Sequence, residues 1–305
     1  MHIPVLSGEV VEWLAPKRGG FYIDGTLGGG GHCELLARAV GTDGTVLAFD
    51  RDIAAIDAAE QKFITLKSTE SDIGTVRLAH ANYCDFPEAL QMLGIEKVDG
   101  MLLDIGLSSD QLADRDRGFS FESDGPLDLR FDVSEGEPAH VLLEYWGEEK
   151  IADTIFKYGE EKFSRRIARE IVRKRTMETP LRTAGELADI VRRCVPVSYN
   201  KGKMRSITID PATRTFQALR IAVNDELGSL SKFLERASRY LNPGGLVAII
   251  SFHSLEDRIV KNWFRDDPNL ETLTKKPILA SDEEYETNPR SRSAKFRVAR
   301  RITDF

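Results

Sequence analysis

The chain has 305 residues, 41% of them hydrophobic and 30% charged, which is enough for a large core and long for a single domain. A formal net charge of −7 excludes a uniformly basic coat for nucleic acid, although it leaves room for a local basic face. Three scattered cysteines, the lack of a secretory signal pattern and the lack of any run near the roughly 20 apolar residues that cross a bilayer favour a cytoplasmic protein without a membrane partner.

The first third of the chain alternates short apolar runs with stretches of helical periodicity. Four of the runs are predicted β-strands: Phe21–Asp24, Val46–Asp50, Val76–His80 and Val98–Asp104. Apolar residues between them recur at helical spacing, which is typical of βαβ units. Because the strands are apolar on both faces, we expect a parallel sheet covered by helices on both sides.

The rhythm changes after the fourth predicted strand. The next stretch, to residue 132, is rich in Asp, Gly and Ser, which predicts a long functional loop. Helical patterns without an intervening strand then follow at about 138–158, 160–176 and 183–195. We therefore predict a helical insert.

The sheet resumes in the last third of the chain. One long helical pattern runs from residue 211 to Leu241, and an Asn-Pro-Gly-Gly turn precedes a predicted strand at Leu246–Ser251. The predicted fold class is therefore α/β, a Rossmann-like doubly wound sheet interrupted by an all-helical domain. The predicted domains are a discontinuous sheet domain at 1–106 and 211–305, and the loop with the helical insert at 107–210.

Charge is distributed unevenly along the sequence. Residues 157–205 contain 14 Lys and Arg against six Asp and Glu, and residues 290–301 contain six bases and no acid. Two explanations stay open: solvated helix faces, or a surface that follows an RNA phosphate backbone and leaves specificity to a pocket. The candidate RNA contacts of the second hypothesis are Arg165, Arg166, Arg169, Arg173, Lys201, Lys203 and Arg214.

A glycine-rich turn follows the first predicted strand. The sequence Asp24-Gly-Thr-Leu-Gly-Gly-Gly-Gly-His32 lies where backbone approaches a ligand, and Gly28 and Gly30 make positive φ accessible. A P-loop needs Lys-Ser/Thr after the glycines, and a dinucleotide fingerprint favours Gly or Ala at the position of Cys33. S-adenosylmethionine is the third candidate, because its cationic amino-acid end favours an acid such as Asp24 beside the glycines.

The other predicted strands also end near groups that suit this ligand. Asp50 can accept hydrogen bonds from both ribose hydroxyls, and Tyr83 can stack on the adenine. Asp104 ends the fourth strand, where open α/β sheets bind their ligands. The competing explanation is that the acids cap helices or turns and that Tyr83 belongs to the core.

Several longer motifs occur in order along the chain. Besides the glycine-rich turn they are Leu103-Asp-Ile-Gly-Leu-Ser-Ser109, Arg117-Gly-Phe-Ser-Phe121, Asp124-Gly-Pro-Leu-Asp128, Pro211-Ala-Thr-Arg-Thr-Phe-Gln-Ala218, Ser251-Phe-His-Ser-Leu-Glu-Asp-Arg258 and Asn288-Pro-Arg-Ser-Arg-Ser293. Together they closely resemble the bacterial 16S ribosomal RNA cytosine-N4 methyltransferase family over nearly the whole chain. The resemblance implies a class I methyltransferase sheet that binds S-adenosylmethionine. It also implies methylation of N4 of a cytidine in the decoding region of the small-subunit RNA.

The resemblance also implies individual site residues. The implied cofactor contacts are Gly30, Gly31, His32, Asp50, Tyr83, Asp104 and Gln111. Two positions depart from the family pattern: Asp110 stands where proline is usual, and Tyr83 stands where phenylalanine is common. The implied partner is small-subunit ribosomal RNA, free or within the assembled subunit, and the sequence leaves open whether the chain acts as a homodimer.

The group that accepts a hydrogen from the target amine stays open at this point. Cytosine N4 is a poor nucleophile, so the enzyme must align N4 with the methyl group and supply a hydrogen-bond acceptor. The candidates are Asp104, the backbone carbonyls of 105–107, Ser251 and His253, with His253 as a base. A histidine in such a turn is at least as often structural.

The predicted loop raises two further questions. Phe119 is a candidate for stacking on the unstacked target base, against the alternative of a core aromatic ring. The aspartates of the loop have no His or Cys at ligand spacing, so we expect no metal. Two other function classes stay open: an NAD-dependent oxidoreductase on the same sheet, and a non-catalytic RNA-binding factor for ribosome assembly.

Overall fold

The computed structural model describes residues 4–120, 125–177, 179–196 and 210–302. Within it the chain forms two compact units. The sheet unit comprises Met1–Ser108 with Leu227–Phe305, and the helical unit comprises Ser109–Glu226. Each unit is described by itself.

The sheet unit is built on a seven-stranded sheet. Its strands are β1 Phe21–Asp24, β2 Thr45–Asp50, β3 Thr75–His80, β4 Val98–Asp104, β5 Leu241–Ser251, β6 Leu270–Thr272 and β7 Lys295–Arg301. The strand order is β3-β2-β1-β4-β5-β7-β6, with β1 to β5 parallel and β7 antiparallel to both of its neighbours. The four strands predicted in the first third are confirmed, although β2 and β3 each begin one residue earlier.

Thirteen α-helices accompany the sheet in the part of the chain that the structure describes. In chain order they are α1 Ser7–Leu14, α2 Gly31–Val40, α3 Ile53–Thr69, α4 Phe86–Met92, α5 Ser109–Ala113, α6 Ala139–Tyr145, α7 Glu148–Gly159, α8 Ser164–Met177, α9 Ala184–Cys194, α10 Ala212–Asn224, α11 Glu226–Tyr240, α12 Ser254–Asp266 and α13 Asp282–Thr287. None of the described helices has the length and apolarity to cross a membrane.

Alternate residues of the strands pack into two separate hydrophobic clusters. Val46 and Ala48 of β2 belong to one cluster, whereas Leu47 and Phe49 belong to the other. The same alternation occurs along β5, where Ala248 and Val247 fall into different clusters. The sheet is therefore covered on both faces, which explains why its strands read as continuous apolar runs.

The helical unit confirms an all-helical insert but changes its internal boundaries. The pattern predicted as one helix at 138–158 is two helices, because the backbone is extended at Trp146 and Gly147 between α6 and α7. The single pattern predicted from residue 211 to Leu241 is also two helices. Asp225 takes the left-handed conformation, with φ of 49°, and ends α10 before α11 begins.

The boundary between the units also lies later than the predicted one at residue 210. Helix α10 groups with the helical unit, which ends at Glu226. It contacts α7, with the Arg214 backbone and the Ala218 side chain close to Gly159 of that helix. A sequence pattern shows that a helix has an apolar face, but it does not show which partner covers that face.

Further features of the last third were not predicted, among them strand β6 and the two described next. The Asn-Pro-Gly-Gly segment was predicted to precede the strand, but it lies within β5. The pairing of β5 with β4 shifts in register at this segment, between Val98 and Gly100 of β4. Strand β7 was predicted only as a basic tail. Arg297 is 5% exposed and donates to Asp257 Oδ1 at 2.6 Å, so its charge is buried in the sheet unit and does not face RNA.

Candidate functional site

The glycine-rich turn is folded back against the end of β2. Gly28 and Gly30 have positive φ of 47° and 68°, a region where a side chain would be strained. The Leu27 N–H donates to the Phe49 carbonyl at 2.8 Å, and the Gly30 N–H donates to the Leu27 carbonyl at 2.7 Å. Gly30 then caps α2, so the turn leads directly from β1 into the first helical turn.

The register of the strands brings three carboxylates to one edge of the sheet. Asp24 pairs with Ala48 on β2 and with Leu102 on β4. Asp50 and Asp104 each lie two residues further along their strands, past those partners. All three side chains therefore stand at the carboxyl ends of neighbouring parallel strands, beside the glycine-rich turn.

Asp50 ties that turn to β2. Its Oδ2 accepts the Gly28 N–H at 2.8 Å, and its Oδ1 accepts the Asp52 N–H at 2.9 Å. Burial raises the pKa of Asp50, and these backbone donors partly oppose the rise. Each carboxylate oxygen keeps a second lone pair, so further hydroxyl donors can still be accepted.

Asp24 is completely buried yet only partly hydrogen-bonded. Its Oδ1 accepts the Thr26 N–H at 3.1 Å, whereas its Oδ2 has no hydrogen-bond partner within the described residues. Burial raises the pKa of Asp24 to about 6, and the neighbouring His32 opposes that rise. A buried carboxylate oxygen without a donor is unfavourable unless a ligand supplies one.

His32 and Asp104 extend this cluster. His32 Nε2 lies 3.6 Å from Asp104 Oδ2, which is an ion-pair distance longer than a hydrogen bond. Neither ring nitrogen of His32, nor Oδ1 of Asp104, has a hydrogen-bond partner in the described chain. Burial lowers the pKa of His32, but the carboxylates of Asp104, Asp24 and Glu284 outweigh burial and raise it.

For two other predicted cofactor contacts, Tyr83 and Gln111, the structure gives the element and the burial of the side chain. Tyr83 opens a short 3-10 helix after β3, and its half-buried ring packs edge-to-face on Phe233 with centroids 5.8 Å apart. Gln111 is buried on α5 of the helical unit. Their contacts with a cofactor remain predictions.

Ser251 and His253 are both engaged within the protein. Ser251 is 1% exposed, and its hydroxyl donates to the Lys295 carbonyl of β7 at 3.4 Å. His253 caps α12: its Nδ1 accepts the Glu256 N–H at 3.4 Å, and Glu256 Oε2 accepts the Phe252 N–H at 2.9 Å. His253 Nε2 also lies 3.0 Å from Glu256 Oε1. The ring thus has the structural role that was the alternative to a base, and the catalytic role of either residue remains a prediction.

Phe119 is buried against another aromatic ring. It is 5% exposed, and its ring stacks on Phe131 with centroids 5.8 Å apart. The Arg117 guanidinium covers it at 5.7 Å. The ring is therefore packed as in the alternative explanation, a core aromatic, and its stacking on the target base remains a prediction.

The basic residues of the helical unit divide into two groups. Arg175 donates to the carbonyls of Leu143 and Trp146, and Lys174 lies 3.3 Å from Glu186, so these bases hold helices together. The candidate RNA contacts on α8, and Arg214 on α10, are exposed; Lys201 and Lys203 lie outside the described residues. The exposed candidates are Arg165, Arg166, Arg169, Arg173 and Arg214.

Two residues that the sequence analysis missed shape the site. Thr26 Oγ1 accepts the Asp104 N–H at 2.6 Å and so joins the ends of β1 and β4. Lys62 donates from α3 to the carbonyls of Gly29 and Gly30 in the glycine-rich turn. A threonine among glycines and a lysine on a mostly exposed helix carry no sequence signal of their own.

The sheet order, the reversed β7 and the carboxylates around a glycine-rich turn define a class I methyltransferase. The chain belongs to the MraW methylase family, whose model matches residues 1–302. It is 50% identical over 308 residues to the ribosomal RNA small subunit methyltransferase H of Rhodopirellula baltica, with 99% of this chain and 91% of that protein covered. It is 48% identical over 301 residues to the protein of the same name from a Synechocystis species, with 99% and 93% covered.

Proposed function

We propose that this protein transfers a methyl group from S-adenosylmethionine to N4 of a cytidine in small-subunit ribosomal RNA. The observation that carries the proposal is the meeting of Asp24, Asp50 and Asp104 beside the glycine-rich turn, with buried oxygens still lacking donors. Family membership and the names of the relatives support it. They give no support to an NAD-dependent oxidoreductase or to a non-catalytic assembly factor.

The residues at the site fit S-adenosylmethionine. Asp24 Oδ2 and Asp104 Oδ1 are buried acceptors without donors: the first suits the ammonium of the cofactor, and the second is left for the amine that receives the methyl group. We assign the remaining contacts as follows: Asp50 to the ribose hydroxyls, Tyr83 to the adenine, and Gly28, Gly30, Gly31, His32 and Gln111 to the rest of the cofactor. When bound, the cofactor supplies a methyl group on a positively charged sulfur.

The protein's part in the reaction is alignment and hydrogen-bond acceptance. Asp104 Oδ1 would accept a hydrogen bond from N4, which localises the nitrogen lone pair, and would then receive the proton that N4 loses when its bond to the methyl group forms. Thr26 holds the backbone of Asp104 and so fixes the direction of that oxygen. Ser251 and His253 hold the neighbouring turn at the end of β5 in this proposal.

The helical unit binds the RNA in our proposal. Its exposed arginines on α8 follow phosphates, and the substrate is the free RNA or the assembled small subunit in the cytoplasm. The target base must leave its stack to reach the site. Analytical ultracentrifugation, which measures the mass of the protein in solution, tests whether the chain forms a homodimer.

The first test is cofactor binding by titration calorimetry. We expect S-adenosylmethionine to bind and NAD not to bind. The second test maps methyl groups by mass spectrometry on small-subunit RNA from cells with and without the protein. Binding of NAD alone, or an unchanged methylation map, would contradict the proposal.

Asp104→Asn provides the matching test of mechanism. The variant keeps the size of the side chain but replaces one acceptor oxygen with a donor, so we expect single-turnover methyl transfer to fall by about 10²-fold or more. Thermal unfolding serves as the control for folding. Full methylation by a folded Asp104→Asn would place the acceptor elsewhere.

A further inference from the structure

Lys62 makes an unusual set of contacts behind the glycine-rich turn. Its Nζ donates to the Gly30 carbonyl at 3.0 Å and to the Gly29 carbonyl at 3.1 Å. The same ammonium lies 3.0 Å from Glu34 Oε2, and its side chain is 32% exposed. One lysine of α3 thus captures two successive peptide groups of a turn more than 30 residues earlier in the chain.

An ordinary salt bridge does not account for this position. Gly30 caps α2, so the ammonium lies beside the positive end of that helix dipole, where a cation is unfavourable. Glu34 in the first turn offsets this charge, but Glu34 already pairs with Arg38 at 2.8 Å. Exposed ion pairs also contribute little to stability. The contacts that distinguish Lys62 are therefore the two carbonyls.

Capture of the carbonyls sets the direction of the adjacent N–H groups. In a trans peptide the C=O and N–H point in opposite directions. With the carbonyls of Gly29 and Gly30 directed to Lys62, the N–H groups of Gly30 and Gly31 point away from α3. Backbone hydrogen bonds also hold this turn: the Gly30 N–H donates to the Leu27 carbonyl at 2.7 Å, and the Gly30 carbonyl accepts the Glu34 N–H at 3.1 Å. Lys62 adds a donor to each of two successive carbonyls of glycines that have no side chains to restrain them.

We propose that Lys62 is a positioning residue for the cofactor: it fixes the peptide groups of Gly29 to Gly31 in the orientation that S-adenosylmethionine binds. This inference rests on the proposed function. It makes the turn's conformation depend on α3 rather than on the glycines alone. Loss of the ammonium removes one hydrogen bond from each of the two carbonyls, so the turn becomes less ordered and part of that order has to be restored when the cofactor binds.

The test compares four variants by titration calorimetry with S-adenosylmethionine. Lys62→Met keeps the apolar stem and removes the donors, so we expect the Kd to rise about tenfold or more. Lys62→Arg keeps a charged donor and restores part of the affinity. Arg38→Met and Glu34→Gln disturb the same ion-pair network without removing the ammonium from the carbonyls, so both should bind within about twofold of the wild type.

Steady-state methylation separates positioning from a general structural role. We expect Lys62→Met to raise the KM for S-adenosylmethionine while the KM for RNA and the kcat stay near the wild-type values. Thermal unfolding shows whether each variant is folded. If the wild type binds no S-adenosylmethionine, the proposed function fails; if it binds and folded Lys62→Met binds equally well, only the role of Lys62 fails. Equal losses in Lys62→Met and Arg38→Met would also overturn it, because they would trace the effect to the ion-pair network.

Discussion

Asp24 links cofactor binding to pH at the scale of a single residue. Burial raises the pKa of this carboxyl from 3.8 to about 6, so the folded protein binds a proton that the unfolded chain releases. The stability of the ligand-free protein should therefore fall as pH rises from about 4 to about 6. A cation bound beside Asp24 reverses the preference, because it stabilises the carboxylate.

We therefore predict that S-adenosylmethionine binds more tightly as pH rises. Between pH 5 and pH 7 the Kd should fall about tenfold, as expected when one group of pKa near 6 must lose its proton. His32, whose pKa is also raised, adds to the trend because its deprotonation removes a competing cation. Asp50 and Asp104 also face Asp24 and His32, and both are unchanged in the control variant Asp24→Asn. Calorimetry on Asp24→Asn should show a weaker dependence; an identical slope would assign the proton to another group.

Substitution of His253 can distinguish a helix-capping role from a catalytic role. The variants are chosen by how well each replacement caps α12. The ring caps α12 and forms a reciprocal pair with Glu256, which is itself 1% exposed. Asparagine is a good cap, whereas alanine is not. We predict that His253→Ala lowers the free energy of unfolding by about 1 kcal/mol and that His253→Asn loses only a few tenths.

Methylation by the two variants distinguishes a cap from a base. If the ring only caps α12, His253→Asn should retain nearly full kcat, because the helix end is preserved. Urea unfolding and single-turnover kinetics on the same samples check both quantities. A stable His253→Asn that loses methylation by about 10²-fold would restore the catalytic role.

The elements differ in how far the sequence predicts them. Strands β1, β2 and β4 were predictable because both of their faces are buried, so each is an apolar run, whereas β3 at the edge of the sheet is only partly buried. Strand β7 was not, because the run Phe296, Arg297 and Val298 contains a buried arginine whose acidic partner, Asp257, lies 40 positions earlier in the chain. The break at Asp225 was missed for a related reason, since one residue in the left-handed conformation interrupts a pattern that is apolar on both sides.

The site residues also differ in this respect: some can be identified from the sequence around them, and others depend on contacts between residues far apart in the chain. Asp24, Asp50 and Asp104 were predictable as strand-end acids, because parallel strands bring their carboxyl ends to one edge. Lys62 and Thr26 act through contacts with backbone groups 32 and 78 positions away. The packing of Phe119 on Phe131 could not be read from the sequence, because it depends on the fold of the loop.

At the scale of the whole molecule, the net charge of −7 conceals a separation of charge. The structure leaves fewer basic residues as candidate RNA contacts than the sequence suggested. Arg297 and Arg300 of β7 pair with Asp257 and Glu271, so these two of the six bases in the tail are neutralised within the sheet unit. The face that stays exposed is on α8, where Ile167, Ala168 and Ile171 are buried and the arginines lie on the other side of the helix.

We predict that this face gives RNA binding its salt dependence. Reversing Arg165, Arg166 and Arg169 to Glu removes up to three phosphate contacts, so the slope of log K against log salt should become shallower by about two. Affinity for RNA at low salt should fall with it, while the Kd for S-adenosylmethionine stays unchanged. Arg169 lies 3.7 Å from Glu148, so circular dichroism must show that the reversed helix is intact.

The matched control reverses exposed arginines on the sheet unit. Arg18 and Arg265 are 65% and 62% exposed, and each pairs with a single aspartate. Their reversal changes the net charge by four units, against six for the α8 variant, but removes no proposed phosphate contact. A general effect of net charge would flatten the slope in both variants, whereas a phosphate-binding face flattens it only in the α8 variant. An unchanged slope after charge reversal on α8 would mean that these arginines form only a solvated helix surface and that the RNA binds elsewhere on the protein.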